Sequence, residues 1–220
     1  VEELFTLHCV YDLRGLADGA VVTNDLTAGS SYPNETGNNT KQFTLVAGIL
    51  AAGEPGDVWT IQRVGGKGLY FCSPCSLDIE GGTLVWDDNG ASDYYPYKVP
   101  HKYGSGKLLF KSVPFFWESV GYVHEGTLAF TNGVGTSTYR WQLYDGAALE
   151  VAGGVSSISQ IGSVAGVSAA TRLAIPAGAT LDLCTGFNNY GSWVKFYGDV
   201  TGEGTLRVTG GGRHYFVRDK

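Results

Sequence analysis

The chain has 220 residues, with 33 Gly, 13 Tyr, 10 Phe, 5 Trp, no Met and a formal charge of −6 at pH 7. That length bounds a single domain, and the acidic balance leaves no basic footprint for nucleic acid or an anionic lipid surface. No apolar run reaches the ~18 residues that span a bilayer and the first residues lack the charged-then-apolar pattern of a signal peptide, so no membrane is expected as a partner; without an initiating Met, the chain reads as a mature form or an excised module.

Residues 1–64 come first and fit no repeat. Val1 to Leu13 alternates in part, through Phe5, Leu7, Cys9 and Tyr11, and reads as an edge strand. Residues 27–40 are rich in Gly, Ser and Asn and read as a loop. Within that loop, Asn34-Glu35-Thr36 and Asn38-Asn39-Thr40 match the N-glycosylation sequon. Phe43 to Ala52 reads as a short helix covering the first coil. The whole segment is assigned as an atypical N-terminal cap, which a stack of strands needs to protect its terminal edge.

From Gly66 onward a phrase recurs: glycine, one or two small or polar residues, then Leu-x-aromatic or Leu-x-aliphatic. Its leucines are Leu69, Leu84, Leu108, Leu128, Leu149, Leu181 and Leu206, separated by 15, 24, 20, 21, 32 and 25 residues. A period of roughly 20–50 residues marks a solenoid. Within each copy the apolar residues alternate with period two, as in Leu84/Trp86, Leu108/Phe110 and Leu206/Val208, which specifies a strand with those pairs inward. A glycine before each strand supplies a corner that a side chain would obstruct. The predicted fold is all-β, a right-handed parallel β-helix in a single domain over 1–220, with the N-terminal cap and first coil at 1–64 and repeated coils at 65–220.

Cys72-Ser73-Pro74-Cys75 has metal-ligand spacing but lacks the second Cys-x-x-Cys of a zinc site, and His8, His101, His124 and His214 stand singly, so no metal or other cofactor is expected. The loop from Asp87 to Tyr103 carries Asp87, Asp88 and Asp93, whose hard oxygens would suit calcium, although an ordinary solvated acidic loop is the reading preferred for them. The same loop holds Tyr94, Tyr95, Tyr97 and Tyr103, aromatics off the strand pattern that are presented to a partner or folded back as a lid.

Strand parity singles out a second set. In Trp193-Val194-Lys195-Phe196-Tyr197, Val194 and Phe196 point inward, which turns Trp193, Lys195 and Tyr197 outward. In Tyr139 to Tyr144, the inward residues are Tyr139, Trp141 and Leu143, leaving Arg140, Gln142 and Tyr144 outside. The two segments are 52 residues apart, about two coils, so both outer faces belong to one sheet; Asn188, Asn189 and Tyr190 lie beside them. Aromatic rings next to amides and charges suit a pyranose polymer, whose C–H face leaves water against an aromatic ring while its hydroxyls need hydrogen-bond partners.

The phrases Gly82-Thr83-Leu84-Val85-Trp86 and Gly204-Thr205-Leu206-Arg207-Val208 resemble the strand repeats of autotransporter passengers and secreted bacterial β-helices. Size, aromatic content and acidic balance are more similar to the xylan-binding β-helical carbohydrate-binding modules attached to gut bacterial xylanases, family 89 of such modules. This resemblance implies an extracellular, non-catalytic module tethered to a catalytic domain and holding a plant cell-wall polysaccharide, xylan first. Two rivals stand beside it. A β-helix lyase or hydrolase needs clustered acids, and adjacent Asp87 and Asp88 on a strand point to opposite faces. A structural or adhesin segment would show plain coils, as Gly153 to Ala170 does.

Overall fold

The computed structural model describes residues 8–25, 31–32, 41–64, 68–87, 100–111, 120–134, 140–158, 160–163, 171–184, 194–209 and 214–217. These form nineteen strands and, among the described residues, no helix. One sheet runs in the order β1 (His8–Asp12), β4 (Lys41–Ala52), β6 (Gly68–Glu80), β8 (Pro100–Tyr103), β10 (Val120–Val123), β12 (Arg140–Leu143), β14 (Gln160–Ser163), with β3 (Ser31–Tyr32) on β4. The other runs β2 (Val21–Asp25), β5 (Val58–Val64), β7 (Thr83–Asp87), β9 (Lys107–Phe110), β11 (Thr127–Val134), β13 (Ala148–Ile158), β15 (Thr171–Ala174), β17 (Val194–Thr201), β19 (His214–Val217). In addition, β16 (Thr180–Cys184) pairs with β13 and with β18 (Thr205–Thr209). From β4 to β15 the chain alternates between the sheets, β16 to β19 stay with the second, and, β3 on β4 apart, the described pairings are parallel, so the molecule is a parallel β-solenoid.

The expected strand parity holds through the interior. Trp59, Leu84, Leu108, Leu128, Leu149 and Leu173 are successive cross-strand partners. Two residues on, Ile61, Trp86, Phe110, Phe130 and Val151 form a second ladder. All eleven are at most 2 % exposed. Burying a side chain of this size contributes roughly 1.5–3 kcal/mol, and Phe110 and Phe130 also stack at 5.9 Å. The glycine corners are equally specific. A Cβ on Gly104, whose φ is +76°, would lie 2.4 Å from the Ile79 carbonyl oxygen, and one on Gly126 would lie 2.4 Å from that of Gly106. Each corner nests on the one before it, leaving no room for a side chain.

One expectation is corrected. Phe43–Ala52 is not a helix but part of β4, which pairs with β1 on one side and β6 on the other and buries Ile49 and Ala51 while Leu50 is half-buried. Neighbours on both edges override a weak local preference for helix. The N-terminal segment supplies coils, β1–β2 and β4–β5, whose strands β1 and β2 stand at the ends of the two sheets among the described residues. The seven repeat leucines fall in more than one ladder. Leu69 lies in the first sheet opposite Thr44, and Leu181 pairs with Ser156 and Leu206 while Leu149 continues to Leu173. The eleven-residue β13 serves both continuations, which accounts for the long interval between Leu149 and Leu181. The side chains of Leu69 and Phe71 lie outside the described residues.

Candidate functional site

The outer face of the first sheet carries two columns of polar and aromatic side chains on successive coils. In the first, Ser76, His101, Tyr122 and Gln142 are cross-strand partners. In the second, Tyr103 lies opposite Asp78, while His124 and Tyr144 come immediately after the ends of β10 and β12. Both are held in line by the backbone, since His124 N donates to Lys102 O at 2.8 Å and Tyr144 N to Val123 O at 2.9 Å. The residue between the columns on each strand, Lys102, Val123 or Leu143, points inward and is at most 1 % exposed.

The second column is a stack. Tyr103 and His124 have ring centroids 4.3 Å apart with planes at 10°, and His124 and Tyr144 are 4.2 Å apart at 23°. In the first column His101 lies 4.9 Å from Tyr122 at 20°. The columns are joined by His101 Nδ1 and His124 Nε2, 3.0 Å apart. With centroids 5.2 Å apart, those nitrogens lie between the ring centres, so the imidazoles meet edge to edge, one donating and one accepting. Burial holds both imidazoles below their ordinary pKa, and the neighbouring His101 adds to the effect on His124. The two imidazoles are therefore neutral near pH 7, and the strip has ring faces turned to one another and phenol and imidazole edges outward.

Behind the strip sits a cation. Lys102 is 1 % exposed on the inward side between Leu77 and Val123. Its Nζ donates to Tyr103 O at 2.9 Å and also to Gly104 O, tying down the corner that carries Tyr103. Desolvation lowers its pKa to about 8.

The expected site residues divide three ways. Tyr103, Gln142 and Tyr144 are brought together on the strip, Tyr103 being 36 % exposed. On β17, Lys195 is exposed, Tyr197 half-buried and Phe196 1 % exposed, in the expected alternation. β17 pairs with β19 through its first half and with β15 through its second, both in the second sheet, whereas β12 lies in the first, so the two segments are not strands of one sheet as their spacing implied, although β17 packs alongside β14, the strand that pairs with β12. Arg140 opens β12, but its side chain lies outside the described residues, as do Trp193, Tyr190, Asn188, Asn189, Tyr94, Tyr95, Tyr97 and Asp88. Asp87 is engaged by Lys111 at 2.7 Å, and among the described residues no group of three or more His, Cys, Asp or Glu is placed to hold a metal ion.

Sequence reasoning misses His101, Tyr122 and His124 because it takes the histidines one at a time. Their signal is three triplets, His101-Lys102-Tyr103, Tyr122-Val123-His124 and Gln142-Leu143-Tyr144, which recur at intervals of 21 and 20 residues and each precede a glycine corner. Constant spacing at one coil per triplet puts their outer members in two columns. No protein-family model matches the chain, and neither a curated protein nor a solved structure matches it.

Proposed function

We propose that this β-solenoid is a non-catalytic glycan-binding module that holds a neutral β-linked polysaccharide, xylan being the first to test, along the strip on its first sheet. The observation that carries this reading is the neutral row of Tyr103, His124 and Tyr144 flanked by His101, Tyr122 and Gln142. Strands pair at about 4.8 Å, close to the length of one sugar unit, so successive coils offer successive sugars a phenol, imidazole or amide edge. A hydroxyl-rich chain meets both donors and acceptors there, and the absence of charge on the rings suits a neutral one. Because the ring faces are turned to one another, hydrogen bonding from the edges replaces the face-on stacking expected from the sequence. Hydrolysis would need two carboxylates flanking one bond, whereas these six side chains include none.

A second reading is favoured by the same stacking: the rings tie coils together in a purely structural segment, at about 0.5–1.5 kcal/mol per aromatic pair. Native affinity electrophoresis against soluble xylan, β-glucan, mannan and pectin, with reducing ends and unsaturated products assayed in the same samples, separates the readings. Retardation by a neutral glycan without product, lost in Tyr103→Ala and Tyr144→Ala, supports binding. No retardation by any of them supports the structural reading, and product formation overturns both.

A further inference from the structure

We propose that His101 and His124 form a two-imidazole binding site for one divalent transition-metal ion, copper(II), nickel(II) or zinc(II), between the two columns of the strip. His101 Nδ1 and His124 Nε2 are 3.0 Å apart. Two metal–nitrogen bonds of about 2.0–2.1 Å, set between a right angle and a tetrahedral angle, span roughly 2.9–3.3 Å. The gap between the rings therefore matches the bite of one ion. The ring planes lie within 17° of each other, with the two nitrogens between the ring centres. A small swing of each ring brings both lone pairs onto a shared point.

The neutral pair reaches the binding state without a net change in protons. One facing nitrogen donates and the other accepts, and the donor ring frees its lone pair by carrying its hydrogen on the far nitrogen instead, Nε2 of His101 or Nδ1 of His124, through exchange with water. One neutral hydrogen bond is given up and two metal–imidazole bonds replace it. The rings are also held in place beforehand. His124 lies between Tyr103 at 4.3 Å and Tyr144 at 4.2 Å, and His101 lies against Tyr122 at 4.9 Å. The backbone fixes their coils in register, through Tyr122 opposite His101 and His124 N donating to Lys102 O. Ligands that are already ordered lose little freedom on binding. Exposed Glu125 acts on the His124 imidazole in the sense that favours a cation, while the Lys102 ammonium is on the inward side and turned to Tyr103 O and Gly104 O.

Ligand chemistry selects the ion. Imidazole nitrogen suits copper, nickel and zinc, whereas calcium and magnesium take oxygen ligands. Among the described residues no third His, Cys, Asp or Glu joins the pair, and both rings are half-buried on the outer face, so water completes the coordination and the ion exchanges with solution. The two histidines are 23 residues apart and meet only when their coils are stacked. An ion that binds both therefore binds the folded chain alone and raises its stability. It is held whether or not a glycan lies along the strip, since only the two imidazoles and their spacing are required.

Calorimetric titration of the full chain with each of the three ions, in a buffer that does not chelate them, tests this together with histidine C–H NMR during a nickel(II) titration. The expected result is one ion per chain, copper(II) binding most tightly, with nickel(II) broadening the signals of His101 and His124 before those of His8 and His214 and raising the thermal midpoint. His101→Gln and His124→Gln should each weaken copper(II) binding by more than about ten-fold, the loss that removing even an outer partner of a ligand brings, and should abolish the rise in midpoint; His8→Gln should keep both. Absence of binding by all three ions overturns the proposal, as does broadening that begins at His8 or His214. So does binding that survives in both His101→Gln and His124→Gln, or that is lost in only one of them, which would mean a lone imidazole. The NMR measurement is made on the parent chain, so it decides the matter even where a variant fails to fold.

Discussion

The middle coils and the last coil are written in the same residue pattern but differ in what that pattern achieves. Leu128 and Phe130 in β11 are fully buried, whereas Leu206 in β18 is only half-buried and Val208 is 50 % exposed, although both strands begin from a Gly-Thr-Leu phrase. A solenoid has no closed core: each coil covers the one before it and is covered by the one after. Burial is therefore a property of position in the stack, and identical alternation leaves apolar side chains exposed where no further strand pairs among the described residues.

The sharpest way to break that comparison is truncation at matched positions. Phe130→Ala in the middle should cost about 3–5 kcal/mol of unfolding free energy, while Phe216→Ala, already 40 % exposed, should cost less than half as much. Urea unfolding of both checks this, and equal losses would mean that the last coil is covered in solution.

The next effect separates a buried lysine from an exposed one. The pKa of Lys102 is lowered by burial to about 8 from an ordinary 10.5, so between those values the unfolded chain binds more protons than the folded one. Stability should therefore rise with pH across that window relative to Lys102→Met, by at most on the order of 3 kcal/mol. Lys195→Met on exposed β17 should show no such slope. Matched urea curves at intervals from neutral pH to the end of that window measure the difference.

A smaller effect is expected at acid pH from the strip. Burial lowers the pKa of His101 and His124 from 6.5, so protons bind the unfolded chain preferentially and stability is lost as pH falls below that value. A His101→Gln, His124→Gln double variant should flatten this part of the profile. Histidine C–H NMR titration reads the two pKa values directly, and values at or above 6.5 would refute the account.

The smallest effect belongs near the open end. Asp182 is 7 % exposed; although burial works against ionisation, Arg207 at 2.7 Å and Thr209 at 2.7 Å hold its carboxyl below the ordinary range. Because the Arg207 side chain is 54 % exposed, solvent screens the pair, and Arg207→Met should cost only about 0.2–1 kcal/mol. Thermal unfolding midpoints suffice to detect it.

Much of the architecture is legible in the residues. Period-two alternation in Leu84/Trp86, Leu108/Phe110 and Leu128/Phe130 specifies inward pairs because a strand has only two faces, and the same parity correctly turns Trp141 and Phe196 in and Gln142, Tyr144 and Lys195 out. The N-terminal segment is harder to read, because β4 has apolar residues on both faces and its pairing with β1 and β6 is set by distant strands. The strip is legible only in part. Tyr103 and Tyr144 stand out as aromatics, but a lone His101 or His124 has no meaning until the coil length aligns it with the next triplet.

Local periodicity by itself determined that this chain makes strands, that glycine corners join them and which side chains face the interior, since these depend on residues a few positions apart. Only the tertiary structure decided the register between coils: Leu149 continuing to Leu173 rather than Leu181, the two columns that bring His101 to within 3.0 Å of His124, and the exposure of Val208 and Phe216. Register is a relation between segments about twenty residues apart, set by connections of unequal length, and no single strand encodes which neighbour will cover it.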